Sequence, residues 1–247
     1  MKINGINTTN IAKLNGITKA SVKKVSGINL PALMPVALFN ADASTWNSGT
    51  PTSWVDFNGN VGTLVNGTTY NSSNGGNMQF DGINDYVTFP NLATLNSQTI
   101  TMESWVNLNV LSQAGFIFEK GSVNTQYSNF FYFDGNYYFR TKGLSTEDLS
   151  IVSASYMTAN AWYHLTCTYG AGVKTIYVNG NQVAQVTGLT GSITYNNTAL
   201  FLGAYYTGGI VQFNLNGKIA ISRAYASALT SAQVLSNFNS EKTRFGY

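Results

Sequence analysis

Catalysis needs particular side chains within reach of one another, and this sequence holds few of them. It has one histidine, His164, and one cysteine, Cys167. With one of each, no intramolecular disulfide can form, and neither a cysteine-based zinc site nor a histidine cluster can be built. Ser–His–Asp chemistry would need His164 beside a nucleophile elbow, and no such motif is nearby. Trp162, His164 and Thr166 alternate with Tyr163, Leu165 and Cys167, so the run reads as a strand with two faces. His164 is then a hydrogen-bonded structural residue, and Cys167 a small buried hydrophobe. Glycoside hydrolysis needs two carboxylates flanking the bond. Glu103 and Glu119 stand isolated, and Glu147-Asp148 follows Gly143 in what reads as a loop. No glycine-rich phosphate loop precedes a helix. The expected catalytic set is empty, and the chain is expected not to be an enzyme.

Binding chemistry is better represented. Asp81, Asp85 and Asp134 could donate oxygens to a structural Ca²⁺. Each also sits in a turn pattern that explains it without a metal, so no metal or cofactor is expected, with calcium as the alternative. Sugars are usually held by an aromatic platform with amide and hydroxyl donors beside it. The segment Tyr127–Arg140 is dense in aromatics, but in a sandwich half of them must face the core. Tyr205 and Tyr206 lie between Leu202-Gly203 and Thr207-Gly208-Gly209, in a loop-like setting. Trp46 and Trp54 lie in an irregular stretch, 43–57, that could cap one end of the body. These four are the candidate glycan-binding residues, set against the reading that all are core or interface aromatics.

The charge is unevenly spread. The chain of 247 residues carries 13 Lys and Arg against 10 Asp and Glu, a net charge of +3. Residues 1–41 hold Lys2, Lys13, Lys19, Lys23 and Lys24 and no acid, so the basic balance belongs to this arm. The arm also repeats every 11 residues. Ile3-Asn4-Gly5-Ile6, Leu14-Asn15-Gly16-Ile17 and Val25-Ser26-Gly27-Ile28 align, as do Lys13 and Lys24. An aliphatic residue, then Asn-Gly or Ser-Gly, then Ile is a strand–turn–strand signal. A unit this short buries nothing alone but can share an apolar seam with neighbours or a partner. Residues 1–36 are thus read as a docking arm for an acidic surface. The residues carrying it are Lys2, Ile3, Gly5, Ile6, Lys13, Leu14, Gly16, Ile17, Lys23, Lys24, Val25, Gly27 and Ile28. Nucleic acid is not expected as the partner, because the arm has no arginine and no aromatic to stack on bases. The start, Met1–Asn7, lacks the apolar core of a signal peptide, and the longest apolar run, Pro31–Phe39, is too short to span a membrane.

Residues 37–247 must position whatever the body binds. Charged residues are 9% of the chain and aromatics 13%, with 24 Gly and 4 Pro. Thr, Asn, Gly and Tyr outweigh the helix formers, which favours strands with tight turns. Asn-Gly or Asp-Gly pairs recur at 58, 66, 74, 81, 134, 179 and 216, the preferred chemistry of hairpin turns. Strands are predicted at 77–80, 84–89, 100–108, 115–120, 127–133, 136–141, 150–155, 162–169, 199–204 and 213–224. Lys174–Val178 and Asn181–Ala184 read as a hairpin about Asn179-Gly180. A helix capped by Thr230 or Ser231 would bury Val234, Leu235 and Phe238. The predicted fold is all-β, a two-sheet antiparallel jelly-roll sandwich with an extended N-terminal arm and one short C-terminal helix.

Six blocks in order resemble laminin-G-like, concanavalin A-like jelly rolls. They are Met78–Val87, Ile100–Val106, Ala161–Tyr169, Ile176–Gly180, Leu200–Gly203 and Asn216–Tyr225, the last followed by Ala228–Val234. The resemblance covers roughly residues 37–240. It implies the sandwich fold; for function it implies little, since this superfold hosts lectins, adhesins, enzymes and structural proteins. The related glucanases carry a Glu-X-Asp-type cluster on one strand, which this sequence lacks. Related sequences often hold calcium, but place an acidic residue where this chain has Ala220. Arm and jelly roll together resemble accessory virion proteins of tailed bacteriophages: head decorations, head fibres or tail adhesins. The expected function is a non-enzymatic virion protein. Its arm docks on capsid or tail subunits, with a homotrimer as one arrangement, and its body is displayed on the virion surface to stabilise the shell or adhere to host glycans. The alternative is an extracellular carbohydrate-binding or adhesion module; a polysaccharide-active enzyme ranks below both.

Overall fold

The computed structural model describes residues 2–3, 6–7, 13–14, 17–18, 24–25, 28–29, 35, 37–41, 52–56, 58–122, 126–133 and 135–247 except 196. Three minimal hairpins occupy the repeat. They pair β1 (Lys2–Ile3) with β2 (Ile6–Asn7), β3 (Lys13–Leu14) with β4 (Ile17–Thr18), and β5 (Lys24–Val25) with β6 (Ile28–Asn29). Their registers are equivalent: Lys2 faces Asn7, Lys13 faces Thr18 and Lys24 faces Asn29. Gly5, Gly16, Lys23 and Gly27 of the expected docking set lie outside the described residues, as do Trp46 and Asp134.

The body is two antiparallel sheets of eight strands each. The first runs β10 (Thr69–Asn71), β11 (Asn77–Asp81), β24 (Asn216–Tyr225), β13 (Ile100–Leu108), β18 (Trp162–Gly170), β19 (Val173–Val178), β20 (Asn181–Val186), with β7 (Ala37–Asn40) also paired to β24. The second runs β17 (Asp148–Val152), β16 (Asn136–Arg140), β15 (Gln126–Phe133), β14 (Gly115–Ser122), β21 (Leu200–Leu202), β12 (Tyr86–Phe89), β9 (Val61–Val65), β8 (Ser53–Val55). A separate hairpin joins β22 (Tyr205–Thr207) to β23 (Ile210–Gln212). The core lies between the sheets, where Met78, Phe80, Met102, Val106, Leu165 and Cys167 meet Val87, Phe89, Phe118, Phe139 and Leu202. Period-two alternation delivers these residues to one face, and burying each large apolar side chain contributes about 1.5–3 kcal/mol.

The first sheet is buried on its outer face too. All nine residues of β13 are buried, because α1 (Ser231–Glu241) and the following turn lie over it. Trp105 is stacked on Phe245 at 4.0 Å and on Phe238 at 5.7 Å. Thr230 caps α1 in a reciprocal box with Gln233, which satisfies two backbone donors that the first turn leaves open. Val234, Asn237 and Phe238 form its buried stripe. Leu235, expected in that stripe, is 42% exposed, because it sits about a third of a turn away from the line joining Val234 and Phe238.

Two Asn-Gly pairs show where turn chemistry holds and where packing overrides it. Asn179 and Gly180 both have positive φ, 51° and 77°, and close the β19–β20 hairpin. Asn216-Gly217, also expected as a turn, instead opens β24, with Gly217 opposite both Phe80 and Leu108. Glycine is needed there for space: a Cβ would stand 2.5 Å from the Asn107 carbonyl oxygen.

Candidate functional site

At one end of the first sheet the outer face is open, and an open pocket of about 300 Å³ forms there. Gly67, Thr69, Gln79, Phe80, Asp81, Asp85, Asn109, Gly217 and Lys218 line it. Its wall is the 81–85 loop. Asp81 Oδ1 accepts from Ile83 N at 2.7 Å and Asn84 N at 3.3 Å, which turns the chain at the end of β11. Asp85 Oδ1 accepts from Gly67 N at 2.6 Å and its Oδ2 from Asp81 N at 3.1 Å. Asn66 Nδ2 donates to Asn84 O and Asn214 Nδ2 to Asp85 O, so three loops are tied at this end. Burial pushes the Asp85 carboxyl up; the Gly67 N–H pulls the other way, and nearby Asp81 adds to the rise. Asp81 Oδ2 is the carboxylate oxygen of this pair left without a partner. A Ca²⁺ ion takes roughly six to eight oxygens from carboxylates, carbonyls and water; of these Asp81 and Asp85 supply the carboxylates at this end of the sandwich. Among the described residues no three His, Cys, Asp or Glu side chains gather in metal-binding range.

The floor of the pocket is built from β10, β11 and β24. Thr69 is paired with Gln79 and Gln79 with Lys218, so hydroxyl, amide and ammonium stand side by side across three strands. None of the three side chains makes a hydrogen bond to another of the described residues. Asn109 adds a fourth polar group at the mouth, its Nδ2 donating to Asn216 Oδ1 at 2.8 Å. Sequence reasoning singled out only Asp81 and Asp85 here. Thr69 and Gln79 come from one hairpin, and Asn109 and Lys218 from distant segments; sheet register gathers Thr69, Gln79 and Lys218, and the Asn109–Asn216 hydrogen bonds bring in Asn109.

The aromatic candidates fare differently. Trp54 is fully buried in β8, packed on Phe39 at 5.8 Å and Phe89 at 6.5 Å, so it is a core residue rather than a sugar platform. Tyr205 is 8% exposed and lies 4.5 Å from the Phe116 ring, so it too is packing. The loop-like setting read from the glycines is in fact the β22–β23 hairpin, which folds its first tyrosine inward. Tyr206 is half-buried, and its ring stacks on Phe201 at 5.1 Å and 7°. Of the dense aromatic segment, Tyr137 and Phe139 are fully buried and Tyr138 is half-buried, on opposite faces of β16.

Glu103 and Glu119, read as isolated, are neither exposed nor alone. Glu103 lies under α1, where Arg223 bridges it to Glu241. Its Oε2 accepts from Asn237 Nδ2 at 2.9 Å, and His164 Nε2 lies 3.4 Å from its Oε1. Burial alone would push the Glu103 carboxyl up, but Arg223, His164 and Asn237 together hold it at about 2. His164 lies with its ring 5.1 Å from that of Trp105 and turns Nε2 to the Glu103 carboxylate, fully buried in the sheet. Glu103, His164 and Arg223 are buried, Glu241 is half-buried, and together they fix the helix to the sheet. Glu119 is 1% exposed; burial pushes its carboxyl well up, against the Tyr206 N–H donating to its Oε2 at 2.7 Å.

Two antiparallel sheets packed face to face, with an open polar pocket at one end, define a jelly-roll β-sandwich. Residues 81–235 match the model of the concanavalin A-like lectin/glucanases superfamily, and the chain belongs to that family. The fold is shared with a sialidase of Trypanosoma rangeli solved in complex with sialic acid, at TM-score 0.65 and 15% identity, over 92% of this chain and 37% of that one. It is shared with the receptor-binding domain of botulinum neurotoxin C/D mosaic serotype, at TM-score 0.61 and 12% identity, over 83% and 51%. It is also shared with domain 4 of an extracellular GH43 arabinanase from Geobacillus stearothermophilus bound to arabinotriose, at TM-score 0.59 and 17% identity, over 82% and 97%. The chain spans little more than a third of the sialidase chains. No curated protein matches the sequence. These findings correct the expectation that the chain is not an enzyme. Its fold recurs in chains of sialidases, so a missing carboxylate motif does not decide against catalysis.

Proposed function

We propose that this chain is a glycan-binding protein whose sandwich presents the pocket at the Asp81–Asp85 end to a saccharide. The observation that carries the reading is the set of unclaimed polar side chains, Thr69, Gln79 and Lys218, gathered at one open pocket. Sugar hydroxyls are recognised by such amide, hydroxyl and charged groups at fixed spacing. The arabinanase domain that shares the fold was solved with arabinotriose, which supports it. The test is a saccharide array probed with the full chain, then repeated with Gln79→Ala. Binding that drops about tenfold in the variant, with unchanged thermal stability, upholds the site; binding indifferent to Gln79 removes it.

The repeat supports a second element of the reading. Three hairpins of equivalent register, each with a lysine at the same position, suit attachment to a periodic acidic surface. We read that surface as a bacteriophage capsid or tail, with the sandwich displayed on the virion and the arm shared among three copies. Attachment to an extracellular partner is the competing outcome. Imaging of assembled particles with and without residues 1–36 tests it: full occupancy without the arm would sink this element.

A further inference from the structure

We propose that the pocket takes a saccharide bearing an anionic group, a carboxylate or a sulfate ester, and that Lys218 selects it. This rests on the glycan-binding reading and narrows it to a ligand class. In the body, the other Lys and Arg side chains described pair with carboxylates, donate to amide or carbonyl oxygens, or lie over an aromatic ring. Lys218 does none of these, although it stands in a half-buried pocket wall. The two carboxylates nearby do not claim it. Asp85 spends both oxygens on backbone N–H groups, and Asp81 turns its Oδ1 to its own loop.

The surroundings fit a saccharide rather than a free ion. Thr69, Gln79 and Lys218 form one register row across β10, β11 and β24. Neighbouring strands lie about 4.8 Å apart, so the row extends roughly 10 Å, a length suited to one or two sugar rings laid across the strands. Lysine suits the end of the row because its ammonium is a point charge on a flexible stem and can meet either a planar carboxylate or a tetrahedral sulfate.

The experiment uses the full chain on an array of matched neutral, carboxylated and sulfated saccharides, with affinities then measured for the hits. Anionic saccharides should bind, and rising salt should weaken them. Lys218→Gln should weaken them at least about tenfold, while Lys218→Arg retains most of the affinity. Carboxylated against sulfated hits identifies which anion is meant. If Lys218→Gln does not fold, the wild-type chain decides: glucuronate or glucose sulfate displaces the array ligand, and glucose does not. Neutral saccharides bound equally well, unaffected by Lys218→Gln, would overturn this inference and leave the glycan reading standing. No saccharide bound at all would overturn both.

Discussion

Two buried glutamates answer to opposite surroundings. Glu103 faces Arg223, His164 and the Asn237 amide, and its carboxyl is held at about 2, below its ordinary 4.5. A carboxyl lowered in the folded state contributes stability above pH 4.5, and this contribution is lost as pH falls from 4.5 toward 2. Denaturant titrations across that window should therefore show a loss of roughly 3 kcal/mol. Glu103→Ala should flatten this slope and cost about 3 kcal/mol at neutral pH, because it strands Arg223 and His164 under the helix. Glu119 is the reverse case: burial raises its carboxyl, and its Oε1 has no partner. The native state holds that proton while the unfolded chain has shed it, so stability falls as pH rises above the ordinary 4.5. Glu119→Gln keeps an acceptor for the Tyr206 N–H and carries no such penalty. Its melting temperature should exceed that of the parent, by a margin that widens from pH 5 to pH 8; an equal margin at both would refute the assignment.

At the scale of elements, the C-terminal helix is the part whose role extends beyond its own length. Its cap is local, since the Thr230 hydroxyl accepts from Gln233 N while the Gln233 side chain accepts from Thr230 N. Its Glu241 is not local in effect, because it binds Arg223 and accepts from Trp105 Nε1 at 2.8 Å. Thr230→Ala should cost about 1 kcal/mol. It should also raise hydrogen exchange along α1 before the sandwich strands respond. The cap was legible in sequence, because Thr-X-X-Gln ahead of an apolar stripe is a short-range pattern. The partner of each apolar position was not legible. Leu235 and Val234 are neighbours in sequence, and only the angle at which the helix meets β13 and β24 exposes the first and buries the second. Asn216-Gly217 failed as a turn for the same reason: close approach of the Asn107 carbonyl, absent from any local pattern, decides it.

At the scale of the whole molecule, Cys167 reports on the sandwich. It is fully buried between the sheets, accompanied by Tyr137 at 3.3 Å, and burial pushes its thiol far above the ordinary range. A thiol of this kind is neither accessible nor ionised. Alkylation should therefore proceed only at the rate of global unfolding, and mass spectrometry through a denaturant series should give the same midpoint as fluorescence; labelling well before that midpoint would show that the sheets separate locally. The sequence by itself determined the strands from β11 onward except the β22–β23 hairpin, most of their turns, the helix cap, the two-sheet fold and the repeat, because alternation, turn residues and caps are properties of a few adjacent residues; it missed β7 to β10, which are short and lack clean alternation. Tertiary structure alone decided which aromatics are core, which buried charges meet and which polar groups share the pocket. Thr69, Gln79 and Lys218 come from three strands, and Glu103, His164, Arg223 and Glu241 from three strands and the helix. Such neighbours are set by register and by how a helix docks on a sheet, and neither leaves a mark in the spacing of residues along the chain.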